Sequence, residues 1–177
     1  GRRDFLAADL SATPHFWSKV KMGDVNESRW FLESAEPRQY MWNALYLNTG
    51  TGRQGRFMEV ARLAGVASTD WTWSVKFGDV DCDGRPDLFA SNGTANHSFD
   101  PDLTRELQAI ERDLAARGAD ARAVWEAQWA AYRAVPPRRE RNAAFRNAGD
   151  LRFERSAAEW GLDHEGISFG ASWADLD

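Results

Sequence analysis

The stretch D79-V-D-C-D-G-R-P-D-L-F89 carries the reading of the whole chain. Counted from Asp79 as position 1, carboxylates stand at positions 1, 3, 5 and 9 (Asp79, Asp81, Asp83 and Asp87), with Gly84 at 6 and Arg85 at 7. Alternate residues of an extended turn point the same way, so the first three side chains converge, and unneutralised they repel one another at short range. A hard cation removes that cost; calcium accepts about six to eight oxygens in flexible geometry. Gly84 supplies the left-handed bend that wraps the chain round the ion, and the Arg85 carbonyl is the expected ligand at position 7. Cys82, at position 4, should point away from the ion.

The first half of the loop has the form of an EF-hand, D-x-[DN]-x-[DN]-G, but that motif needs a bidentate Glu at position 12. Ala90 stands there, and "LFASNG" reads as a strand and a turn. The expectation is therefore a calcium loop between two strands, closed by Asp87. Two alternatives share these residues: a solvated acidic turn without metal, and a carboxylate pair for acid–base chemistry. Magnesium prefers fewer protein ligands, and zinc prefers His or Cys.

The loop is repeated. Arg56–Asp81 aligns without a gap on Arg152–Asp177, and "NALYLNTG" (Asn43–Gly50) matches "NAAFRNAG" (Asn142–Gly149). "GRRDFLAADL" from Gly1 superimposes on "GRPDLFASNG" from Gly84, which makes Asp4 position 9 of an earlier loop. Asp175 and Asp177 fall at positions 1 and 3 of a later one. The expectation is a piece of a longer repeat protein. Strands are predicted over Asp4–Ala8, Asn43–Asn48, Arg56–Ala61, Thr72–Gly78, Asp87–Ser91, Asn142–Asn147, Leu151–Ser156 and Ser168–Ala174, separated by turn residues. Four-strand units with an acidic loop between two strands suggest β-propeller blades.

"WSVKFGDVDCDGRPDLFASNG" and "GISFGASWADLD" resemble FG-GAP/VCBS repeats, the calcium-loop blades of integrin-α-type propellers. The longer run from Asn43 to Gly93 is similar to bacterial proteins related to cartilage acidic protein, often associated with an ASPIC/UnbV domain. The resemblance implies an all-β chain forming about two blades of a seven-bladed β-propeller. It implies calcium ligands at Asp79, Asp81, Asp83, Arg85 (carbonyl) and Asp87, with partial loops at Asp4, Asp175 and Asp177.

Two long connections interrupt the strands, at residues 9–42 and 92–141. Loops of this length on a rigid scaffold commonly carry recognition. In the later one, Leu103, Leu107, Ile110 and Leu114 form a helical stripe, and a second helix carries Trp125, Trp129 and Tyr132 on one face, giving a helical hairpin over about 101–134. It reads either as a hairpin packed on the propeller or as an aromatic docking surface. The earlier connection has no clear period. His15, His97 and His164 are expected at the surface.

The chain is 43% hydrophobic and 28% charged, as globular proteins are. A net charge of −5 and a pI of about 5.3 disfavour nucleic acid as the partner. Nine Trp suggest a packed core or a recognition surface. No apolar run approaches the roughly 20 residues a membrane helix needs, and the first ten residues lack the form of a signal peptide. One cysteine cannot form an internal disulfide. "GTGRQG" (Gly50–Gly55) fits a dinucleotide fingerprint but precedes a strand rather than a helix, so it reads as a hairpin connection and the dinucleotide use carries little weight. "PPRRERNAAFRN" is short enough to be a solvated linker. These observations combine into a calcium-binding extracytoplasmic module (periplasmic, secreted or at the cell surface) that binds a protein or carbohydrate partner, compatible with a larger assembly. The alternative is an enzyme, a lyase or hydrolase, on the face bearing the long connections.

Overall fold

The computed structural model describes residues 3–11, 13, 41–50, 55–95 and 100–174. They group into two compact units, one of residues 3–11, 13, 41–50, 55–93 and 139–174, the other of 94–95 and 100–138.

The first unit is built of antiparallel strands. β1 (Phe5–Ala7), β3 (Ala44–Asn48) and β4 (Phe57–Glu59) form a three-stranded sheet in the order β1-β3-β4. β2 (Leu10–Ser11) joins β5 (Asp70–Gly78), β6 (Asp87–Asn92), β8 (Ala143–Gly149) and β9 (Arg152–Arg155) in a five-stranded sheet, order β2-β5-β6-β8-β9. β7 (Glu140–Arg141) pairs with β10 (Glu165–Gly166). Within the larger sheet β5-β6-β8-β9 is a meander of the kind that makes one propeller blade. β1-β3-β4 repeats its second, third and fourth strands. The unit is therefore consistent with part of a propeller.

The two copies share several of their hydrogen bonds. Asn43 Oδ1 accepts the Asp9 amide at 2.9 Å, and Asn142 Oδ1 accepts the Asn92 amide at 2.9 Å. The Val60 amide donates to the Leu45 carbonyl at 2.8 Å, as the Ser156 amide does to Ala144 at 2.9 Å. After each fourth strand comes one helical turn, α1 (Ala61–Ala64) in the first copy and residues 157–161 in the second. Each ends on a left-handed glycine, Gly65 (φ 80°) and Gly161 (φ 67°).

This turn corrects one expectation. The strand predicted to reach Ala61 stops at Glu59, because Ala61 and Ala64 turn into the core rather than continue the pleat. Nor do residues 168–174 form a strand. Their counterpart in the first copy is held along its length by β6, and no strand following residues 168–174 is described.

The core is mostly aliphatic around one buried aromatic, Phe145. Leu45, Val60, Ala61, Ala64, Val66, Leu88, Ala90, Ala143 and Phe145 are buried together, with Leu6, Leu47, Val75 and Phe153 packed against them. Alanines at 90, 143 and 144 let neighbouring backbones approach closely. Trp71 is the one buried tryptophan among the described residues, whereas Trp73, Trp125, Trp129 and Trp173 are exposed. The described tryptophans thus contribute more to surface than to core.

The second unit contains α2 (Pro101–Ala116) and α3 (Ala121–Ala134). Both begin with an aspartate cap: Asp100 accepts the Asp102 amide and Asp120 the Ala123 amide, each at 2.8 Å. The pair is tied by Gln128, whose side chain donates to the Leu107 carbonyl at 3.0 Å. Trp125, Trp129 and Tyr132 stack along α3, with centroid separations of 6.0 and 5.5 Å.

Candidate metal centre

The acidic stretch forms the connection between β5 and β6. Gly78 pairs with Asp87 at the last rung of the hairpin, and residues 79–86 make the loop. Positive φ at Cys82 (58°) and Gly84 (84°) winds it tightly. No atom lies within 4 Å of where a Gly84 side chain would sit, so the backbone torsion, rather than lack of space, calls for glycine there.

Each aspartate has a distinct task. Asp79 closes the turn from within: its two oxygens accept the amides of Asp83 at 3.0 Å and Gly84 at 2.9 Å. Asp87 is fully buried, accepting Val80 N at 2.9 Å and Asn147 N at 2.8 Å. Asp81 pairs with the Arg146 guanidinium on β8, Nε to Oδ2 at 2.8 Å. Ligand oxygens of Asp79, Asp81 and Asp87 lie within 4.8 Å of one another.

That spacing fits one calcium ion. Two oxygens bound to the same ion at about 2.4 Å can be at most about 4.8 Å apart. Each carboxylate oxygen has a second lone pair beyond the one an amide engages, so the three side chains can still coordinate. An all-oxygen donor set selects a hard cation over zinc or copper.

Of the residues singled out in the sequence, the structure brings together Asp79, Asp81 and Asp87. Asp83 turns elsewhere, accepting the Arg85 amide at 2.8 Å and forming an ion pair with the Arg85 guanidinium. Arg85 also reaches the Asn147 carbonyl through Nε at 2.8 Å. Asp4 belongs to the first copy and accepts the Asn48 amide at 2.7 Å, as Asp87 accepts that of Asn147. Asp175, Asp177, His15 and His97, most of the 9–42 connection and residues 51–54 of "GTGRQG" lie outside the described residues. His164 is exposed.

Two participants were not anticipated from the sequence. Asn147 was visible in principle, since it aligns with Asn48 in the repeat. Arg146 was not, because Leu47 stands at the matching position of the first copy. Its guanidinium bridges Asp81 and Glu159, with Nη2 to Glu159 Oε1 at 2.8 Å, and lies 5.2 Å from the centre of the Trp160 ring. Hydrogen bonds to Glu159 and then to Asp81 push its pKa further above an already high value, so Arg146 remains a cation throughout the accessible pH range.

Residues 32–90, about one third of the chain, match the family model of an FG-GAP-like repeat. The match covers β3 to β5, the acidic loop and the start of β6. Neither the curated proteins nor the solved structures contain a match to the chain.

Proposed function

We propose that the chain is part of a calcium-stabilised, seven-bladed β-propeller of the ASPIC/UnbV-associated type, serving as a binding or scaffolding module outside the cytoplasm. The observation that carries the reading is the convergence of Asp79, Asp81 and Asp87 at calcium spacing within a matched FG-GAP-like repeat. The ion's role is structural: it neutralises the loop and holds the β5–β6 hairpin closed. At free calcium about 100-fold above the dissociation constant, one such site adds roughly 2.7 kcal/mol to stability. Extracellular modules bind calcium at about 10⁻⁴ to 10⁻³ M, which suits a calcium-rich compartment.

Repeats of this kind are often found in partner-binding proteins, and the expected partner is a protein or a carbohydrate. The exposed Trp125 and Trp129 make α3 the first place to seek it.

Thermal unfolding of the purified protein in chelator and in millimolar calcium tests the reading. A rise in Tm with calcium that exceeds the rise with equimolar magnesium, and that disappears in Asp79→Asn, is the expected result. An unchanged Tm in millimolar calcium would overturn it.

A further inference from the structure

Arg146 joins the acidic loop to a second carboxylate. The cation is held between Asp81 and Glu159 at 2.8 Å from each, about one third exposed on its own side chain and facing an Asp81 that is about one quarter exposed. Asp81 is also a member of the only acidic trio that converges among the described residues. The same carboxylate therefore serves two cations, a fixed guanidinium and any ion entering the loop.

We propose that Arg146 is the resident counter-charge of this loop and sets its calcium affinity by competing with the ion for Asp81. This rests on the calcium reading above. With calcium absent, Arg146 neutralises part of the charge that three carboxylates bring together. When calcium binds, Asp81 turns to the ion, and Arg146 is retained by Glu159 and the Trp160 face. The affinity is thus the difference between two attractions, and Arg146 lowers it while keeping the calcium-free loop folded.

The repeat supports a dedicated arrangement. Positions aligned with Arg146, Glu159 and Trp160 hold Leu47, Leu63 and Ala64 in the first copy. The cation, its second carboxylate and its aromatic rest are thus missing there together.

The test measures calcium binding by titration calorimetry on wild-type protein, Arg146→Gln and Glu159→Gln, with Tm in chelator beside it. Removing a unit charge that faces a divalent ion across a few ångströms of wet surface corresponds to roughly a tenfold change in dissociation constant. Arg146→Gln should bind calcium about tenfold more tightly and unfold at a lower temperature in chelator. Glu159→Gln should bind about threefold more weakly, because Asp81 is then the only carboxylate that pairs with Arg146. Opposite shifts from two neutralising substitutions are not expected of a purely structural bridge.

The outcomes separate the two ideas. A wild-type protein that binds calcium, with Arg146→Gln binding no more tightly, overturns the competition and leaves the calcium reading standing. Wild-type protein indifferent to calcium, with Arg146→Gln gaining binding, supports the competition and overturns calcium as the native ion. No binding by any variant overturns both. If Arg146→Gln fails to fold, Glu159→Gln decides alone: weaker binding supports the proposal, and unchanged or tighter binding refutes it.

Discussion

The buried carboxylate of Asp87 accepts the backbone amide of Asn147, 60 residues further along the chain, at 2.8 Å. Its other oxygen holds Val80 at 2.9 Å, so one side chain joins the start of the acidic loop to β8, the third strand of the meander. Asp4 and Asn48 repeat the strand contact at 2.7 Å.

Asp87→Ala should be the most damaging substitution in the loop even without metal. It leaves two amides unsatisfied beside a fully buried position, a loss of about 2–4 kcal/mol. Asp87→Asn, which keeps one carbonyl oxygen as acceptor, should lose less. Urea unfolding in chelator measures both, and a loss below about 0.5 kcal/mol for the alanine variant would contradict the assigned role.

Asp79→Ala should behave differently. Its amide partners, Asp83 and Gly84, are exposed, so water can replace the carboxylate, and the cost in chelator should be about 1 kcal/mol. The larger effect should appear with calcium present, as loss of the roughly 2.7 kcal/mol that a site at 100-fold saturation supplies. Equal losses with and without calcium would argue against coordination by Asp79.

Cys82→Asn should stabilise the protein. Cys82 is exposed and adopts φ 58°, a region that asparagine and glycine enter more readily than other residues. The gain should be about 0.5–1 kcal/mol, read from the urea midpoint, and the chain would lose its only thiol. A drop in stability would show that the sulfur makes a contact worth keeping.

Asn43→Ala should cost about 3 kcal/mol. This fully buried side chain accepts the Asp9 amide and donates to the Val66 carbonyl at 3.0 Å and to Thr69 Oγ1. Asn142→Ala should be harmful for the same reason, since the Asn92 amide loses its acceptor. Chemical denaturation of the pair checks whether the copies are energetically as well as geometrically alike.

Gly93→Ala and Gly149→Ala share a positive φ (110° and 84°) but differ in surroundings. A Cβ on Gly93 would lie 2.3 Å from the Gly166 carbonyl oxygen, whereas one on Gly149 would meet nothing within 4 Å. The first should cost 3 kcal/mol or more, roughly the sum of clash and strain, and the second only the left-handed penalty of about 1–2 kcal/mol. Similar Tm values for the two variants would refute the close approach of residues 93 and 166.

The strand framework and the acidic loop were readable because each rests on local chemistry. Alternating aspartates round Gly84 announced the turn, and "NALYLNTG" against "NAAFRNAG" announced matching strands. The limits have physical causes. Phe57–Glu59 ends early because Gly65 allows a helical turn to close, and small alanines suit a turn as well as a strand. Residues 168–174 have strand-like composition, yet a strand exists only where another backbone accepts its hydrogen bonds. Spacing alone groups Asp83 with its neighbours, whereas its carboxylate accepts the Arg85 amide and pairs with the Arg85 guanidinium, a local contact that spacing does not reveal. Arg146 could not be found by pattern, because its meeting with Asp81 spans 65 residues and depends on which strand lies beside β6.

The double grip of Asp87 bears on how the β5-β6-β8-β9 meander comes apart. If the acidic turn frayed by itself, a buried carboxylate would lose an amide on one side while retaining it on the other, so the two releases favour a common opening. Deuterium should therefore enter the Val80 and Asn147 amides at matched rates, with the tip of the hairpin and the neighbouring strand melting as one.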